Sequence, residues 1–173
     1  ETGVNPIRRR YAESIIGPQL DALTQIPGVR IVHGVRLPGS DPTVATISHA
    51  VLAGRRLALI DDQLWRPGNY ALDHRGQLLR NDFVYANPAQ EFPHRVAQCD
   101  EYFADAAQVR GWVAVVADST GRLAIDNART WPNVRLADAE SLLREVGEWL
   151  AGDGERVDRL LLRDVLALQV DPS

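Results

Sequence analysis

Residues 112–117, Trp-Val-Ala-Val-Val-Ala, carry no polar side chain. A strand of this kind has no face to offer to water, so it belongs at the centre of a sheet with packing on both sides. The rest of the chain supplies strands to flank it and helices to cover it. Over about the first 25 residues, Ile7, Tyr11, Ile15, Leu20 and Leu23 recur roughly on one face of a helix, which Gly17-Pro18 is expected to kink or divide in two. Strands are expected at 29–35, 44–53 and 56–61, the last two joined by the tight turn Gly54-Arg55. A short strand follows Pro67-Gly68-Asn69, and Asp73–Gly76 turns the chain into Leu78-Leu79.

A helix over 88–107, regular from about Pro93, puts Val96, Cys99 and Phe103 on one face. Strands at 122–125 and 134–136 come after the apolar run. Asp138 then reads as the N-cap of a helix whose stripe is Leu142, Leu143, Val146, Trp149 and Leu150. Gly152-Asp153-Gly154 ends it, and a last helix over about 155–168 follows. This order describes an α/β fold, a mixed central β-sheet flanked by helices, in one domain spanning 1–173.

Composition narrows the function. The net charge of −4 argues against a dedicated non-specific nucleic-acid binder. All nineteen basic residues are arginine, so any chemistry needing a lysine must do without one. The single cysteine, Cys99, rules out an internal disulfide framework and a multi-thiolate zinc site, and reads as a small core residue. No apolar run approaches the ~20 residues of a membrane span. With no methionine, the chain is expected to be a segment of a longer protein, either free in the cytoplasm or held at the inner face of a membrane through its missing part.

The residues that could carry chemistry lie between Gly34 and Tyr70: Ile47-Ser48-His49-Ala50-Val51, then Ile60-Asp61-Asp62-Gln63-Leu64-Trp65, then Gly68-Asn69-Tyr70, with Glu13 in the first helix. This pattern resembles the nuclease-related domain (NERD), a branch of the restriction-endonuclease-like superfamily. There one strand carries Ile-Asp-His. The next ends in an acidic residue, a spacer and a lysine, followed by a tryptophan and Gly-x-Tyr, and a helix supplies a glutamate. The resemblance covers about residues 11–150 and leaves the last helix as an addition. It implies a restriction-endonuclease-like fold and metal-assisted phosphodiester hydrolysis. In that reaction carboxylates hold a hard divalent ion, which polarises the phosphate and acidifies a bound water, while the lysine stabilises developing charge.

On that frame Glu13 and Asp61 are present as metal ligands, Ser48 replaces the strand aspartate, and Gln63 replaces the lysine. Serine is a much poorer ligand for a hard cation. Glutamine does serve at the lysine position in some active superfamily members, but here it coincides with the lost aspartate. Asp62 should point to the face opposite Asp61, and His49 to the face opposite Ser48, where a hydrogen bond at the sheet–helix boundary is its expected role. Asp41, in the turn before the strand, is a weaker candidate carboxylate. His33, His74 and His94 show no metal-ligand spacing.

The four tryptophans are placed for core packing rather than as a base-stacking platform. Arg8-Arg9-Arg10 reads as a solvated helix face, or as a juxtamembrane basic segment, and Arg55-Arg56 as a solvated turn. The expectation is a catalytically inactive, pseudo-nuclease domain that serves as a protein-interaction or regulatory module, without a cofactor. Its partner is a protein, nucleic acid being the weaker prospect. The alternative is an Mg²⁺- or Mn²⁺-dependent nuclease whose altered catalytic site is Glu13, Asp61 and Gln63.

Overall fold

The computed structural model describes residues 6–39, 46–153 and 158–170. Its helices are α1 (Pro6–Asp21), α2 (Phe92–Phe103), α3 (Ala139–Leu150) and α4 (Arg159–Leu166). Its strands are β1 (Arg30–Val35), β2 (Ile47–Ala53), β3 (Arg56–Trp65), β4 (Gly68–Leu72), β5 (Leu78–Arg80), β6 (Phe83–Val84), β7 (Gln108–Ala117), β8 (Leu123–Ile125) and β9 (Val134–Asp138). They form a five-stranded sheet in the order β1-β2-β3-β7-β9 and a four-stranded sheet in the order β6-β5-β4-β8. Both are mixed. In the larger sheet β1, β2 and β3 run antiparallel while β3, β7 and β9 run parallel. The expected α/β architecture, a mixed sheet with helices on its faces, is the one found. No helix of the described residues is long and apolar enough to cross a membrane.

The apolar run 112–117 lies within β7, which pairs with β3 on one side and β9 on the other. β3 reaches Trp65, four residues beyond the expected end, because each residue from Arg56 to Trp65 has a partner on β7. Side chains alternate between two cores. Leu57, Leu59 and Trp65 join one that includes Phe92, Val96, Cys99 and Phe103 of α2 and Leu161 and Val165 of α4. Ala58 and Ile60 join the other, with Ile16 and Leu20 of α1 and Leu142, Val146 and Leu150 of α3. Gly111 lets α2 approach β7 closely, since a Cβ there would lie 2.6 Å from Cγ2 of Val96.

Two expectations about helices are corrected. α1 runs unbroken through Gly17-Pro18 to Asp21. Burial of Ala12, Ile16, Gly17 and Leu20 against the sheet holds the turns that a proline destabilises by ~3 kcal/mol in isolation. The buried face of α1 is therefore not the one that Ile7 and Tyr11 suggest; Ile7 is 79% exposed and Tyr11 lies outside the core. Small residues at 12 and 17 let the backbone come close to the sheet, and that packing outweighs the larger side chains one residue away. The first part of the expected last helix, 155–157, lies outside the described residues; α4 begins after Asp158, whose carboxylate caps it by accepting from the N–H groups of Leu160 and Leu161.

After α4 the chain returns to the free edge of β1. Val170 N–H donates to Gly34 O and Arg36 N–H to Leu168 O. The segment thus covers part of an edge that would otherwise expose unpaired backbone.

Candidate functional site

Strand alternation separates the residues named from the sequence. Asp61 and Gln63 fall in step with Leu57, Leu59 and Trp65, on the α2 face. Asp62 falls in step with Ala58 and Ile60, on the α1 face, where Glu13 also lies. Gln63 donates its side-chain amide to Asp61 Oδ2 at 2.9 Å. Burial pushes the Asp61 carboxyl up from 3.8 to about 6, against the Gln63 hydrogen bond and the charges of Arg9 and Arg95. Glu13 is bound instead by Arg9, whose Nε donates to Oε1 at 3.0 Å. So the structure joins Asp61 to Gln63 and puts Glu13 on the helix across the sheet. Asp41 lies outside the described residues.

Ser48 and His49 depart from strict alternation: both line one cavity under α1. The β1–β2 ladder pairs His33 with His49 and Val35 with Ile47, and between them Gly34 sits at φ 71°. That left-handed turn of the backbone lets the strand edge twist, and Ile47 goes to the α2 core while its neighbours face α1. Ser48 Oγ accepts the Asp62 N–H at 3.0 Å, with Arg9 Nη2 at 3.4 Å. Ser48 is thus tied into the β2–β3 contact.

The most connected polar cluster is one the sequence did not single out. His49 Nε2 is hydrogen-bonded to Asp62 Oδ2, His49 Nδ1 lies 2.7 Å from His33 Nδ1, and His33 Nε2 lies 3.1 Å from Asp21 Oδ1. Four side chains from α1, β1, β2 and β3 thus form one chain of contacts. His49 and Asp62 are buried, whereas His33 and Asp21 stand at the rim. Burial raises the Asp62 carboxyl above its ordinary value, opposed by the hydrogen bond from His49. The expected role of His49, a hydrogen bond at the sheet–helix boundary, is what the contacts give it. The sequence signal for the cluster was faint: two histidines sixteen apart on consecutive strands meet only if the register places them opposite one another.

The cavity holding this cluster has a volume of about 670 Å³ and lies between α1, β1, β2 and the returning segment at Gln169-Val170. Arg10, Glu13, Asp21, His33, Ser48 and His49 supply its polar wall. Among the described residues, no three His, Cys, Asp or Glu side chains converge as a ready-made metal cage. An oxygen-ligated Mg²⁺ or Mn²⁺ needs several carboxylate or carbonyl oxygens around one point; here Glu13 is held by Arg9, whose charge also reaches Asp61.

Arg8 and Arg10 lie on the exposed face expected of them, yet several basic residues also bind protein oxygens. Arg8 Nη2 donates to Leu64 O and Asp118 Oδ2, both at 2.9 Å, and holds the Asp118 carboxyl below its ordinary range. Arg9 reaches Thr46 O as well as Glu13. Arg56 donates to Trp149 O and lies over the Trp149 ring at 5.5 Å, so it joins the hairpin to α3 rather than forming a solvated turn. Trp65 and Trp112 are fully buried, and Trp65 packs on Tyr70 and Tyr85, which agrees with core packing. Tyr70, of the Gly-x-Tyr element, donates its hydroxyl to Arg66 O at 2.6 Å.

No protein-family model matches the chain, and no curated protein matches it. Among solved structures it is similar to the small subunit of the heterodimeric restriction endonuclease R.BspD6I, at 14% sequence identity and a TM-score of 0.36, over 95% of this chain and 80% of that one.

Proposed function

We propose that this chain is a non-hydrolytic relative of the nuclease-related domain, retained as a protein-interaction or regulatory module. The observation that carries this reading is the state of the four positions that the resemblance marks. Ser48 accepts a backbone N–H of β3, Gln63 donates to Asp61, and Glu13 is paired with Arg9. The polar groups are satisfied by one another, on two different faces of the sheet, rather than aimed at a common point where a metal and a phosphate could sit. The element order supports the frame: a helix with Glu13, a strand with Ser48-His49, a strand with Asp61-x-Gln63, then Trp65 and Gly68-x-Tyr70, then helix, strand and helix.

Exposed apolar side chains favour a protein partner over a nucleic acid. Phe83 is 79% exposed beside Val84 on the edge strand β6, and Leu160 and Leu166 stand out from α4. Arg8, Arg9 and Arg56 are each held by protein oxygens, which leaves them fewer donors for phosphates.

The test is cleavage of labelled single- and double-stranded DNA and RNA with Mn²⁺, beside Asp61→Ala and Glu13→Ala. The expected result is no cleavage above the two variants. Cleavage that disappears in both would overturn the proposal in favour of a metal-dependent nuclease with an altered site.

A further inference from the structure

His33 on β1 and His49 on β2 are direct partners in the antiparallel register, and both rings lie beneath α1. A Cβ added at Gly17 would meet Cε1 of His49 at 3.7 Å and Cε1 of His33 at 4.0 Å. Three polar contacts run in series through the pair. Asp62 Oδ2 meets His49 Nε2, the two Nδ1 atoms lie 2.7 Å apart, and His33 Nε2 lies 3.1 Å from Asp21 Oδ1. All four ring nitrogens are therefore in use, and the series leads from a buried strand to the exposed end of α1.

Three contacts in series need three hydrogens, one between each pair of heavy atoms. Two neutral imidazoles beside two ionised carboxylates hold only two. The closed series thus carries one extra hydrogen, wherever along it the hydrogens sit. Once that hydrogen leaves, one contact has lone pairs on both sides and no donor, and it must open. His49 and Asp62 are packed in place, with side chains 4% and 0% exposed, whereas the His33 side chain is 46% exposed and has room to turn away.

The neighbours set the electrostatic background. On α1, Arg9 and Glu13 act through space on Asp62, with opposite signs. Arg10 and Glu13 are the other charged groups on the wall of the cavity that Asp21, His33 and His49 line. Thr46 and Ser48 on the β2 side, and Gln169 and Val170 of the returning segment, carry no charge.

We infer that His33 is a pH-operated latch: while the series holds its extra hydrogen, His33 ties the end of α1 to β1 and β2, and it lets go as the pH rises. Histidine is the side chain suited to such a device, because it changes charge near neutral pH. His33 lines the 670 Å³ cavity, so its release widens access to that space. The inference does not rest on the non-hydrolytic reading, which concerns Glu13, Ser48, Asp61 and Gln63.

Imidazole ¹H and ¹⁵N NMR between pH 5 and 9 tests it, on protein carrying His74→Gln and His94→Gln so that the pair is observed alone. The expected result is one transition common to both rings, one hydrogen taken up by the two together, and loss of the ring-to-ring contact at high pH. Asp21→Asn, at an exposed position whose folding circular dichroism verifies, gives the second measurement. An asparagine amide can donate to His33 Nε2 where an ionised carboxylate cannot, so two ring hydrogens then suffice. In that variant the series should stay closed at pH 9, with the His33 hydrogen moved to Nδ1. Two independent transitions with one hydrogen per ring, or an Asp21→Asn protein whose rings part with pH as the wild type's do, would overturn the inference.

Discussion

Asp61→Asn should make the protein more stable at pH 8 and less stable, by about 1–2 kcal/mol, below about pH 4. The Asp61 carboxyl is 5% exposed, has the Gln63 amide as a side-chain donor, and feels Arg9 and Arg95 only through space. Burial raises it from 3.8 to about 6. A group held more tightly protonated in the folded state contributes fully below its unfolded value, and that contribution is lost as pH rises through the folded value. The folded state therefore becomes progressively less favourable between pH 4 and 6, by about 3 kcal/mol at ~1.4 kcal/mol per pH decade.

Asparagine keeps an oxygen to accept from Gln63, but its own amide then needs an acceptor, which returns about 1–2 kcal/mol of that gain. The expected net gain at pH 8 is about 1–2 kcal/mol, or roughly 2–8 °C in Tm for a chain of this length. Urea unfolding followed by tryptophan fluorescence at pH 4, 6 and 8 measures it. A variant no more stable than the wild type at pH 8, or one whose advantage persists unchanged at pH 4, would refute the account of Asp61 as a buried carboxylate without an ion-pair partner in contact.

Gly111→Ala should destabilise by about 1–3 kcal/mol in a thermal melt, because its Cβ would lie 2.6 Å from Val96, 2.9 Å from Phe92 and 3.1 Å from Val134; a neutral variant would mean that α2 moves freely off β7. Asp138→Ala removes the acceptor for Ser141 N–H at 2.7 Å and should lower stability by about 0.5–2 kcal/mol, recovered largely by Asp138→Asn or Asp138→Ser. The Cys99 thiol is buried and pushed up to about 12, so a thiol-specific disulfide reagent at pH 8 should label it only in denaturant; rapid labelling of the native protein would contradict its place on the buried face of α2.

Much of the local structure was legible in the sequence because its causes are local. Asp138 caps α3, Gly54-Arg55 turns β2 into β3, and Pro93 sits in the first turn of α2. The apolar run 112–117 lies on the central strand because a strand with no polar side chain has nowhere else to go. Alternation put Asp61 and Asp62 on opposite faces, as expected from a period of two. The same rule failed at Ser48 and His49, beside the left-handed Gly34 of the neighbouring strand, although the β1–β2 register itself runs on unbroken. No pattern within β2 reports what β1 does.

By itself the sequence determined the element order, the capping and the mixed α/β class, all of which follow from propensity and periodicity within short windows. Only the tertiary structure decided which face of α1 is buried, since Ile7-Tyr11 and Ala12-Ile16-Leu20 are equally periodic and packing against the sheet selects between them. It alone brought Asp21, His33, His49 and Asp62 into one chain of contacts. Those four residues come from four elements spread over more than forty positions. Strand register and helix placement, which depend on the whole core, set the ångström-scale distances on which their chemistry depends.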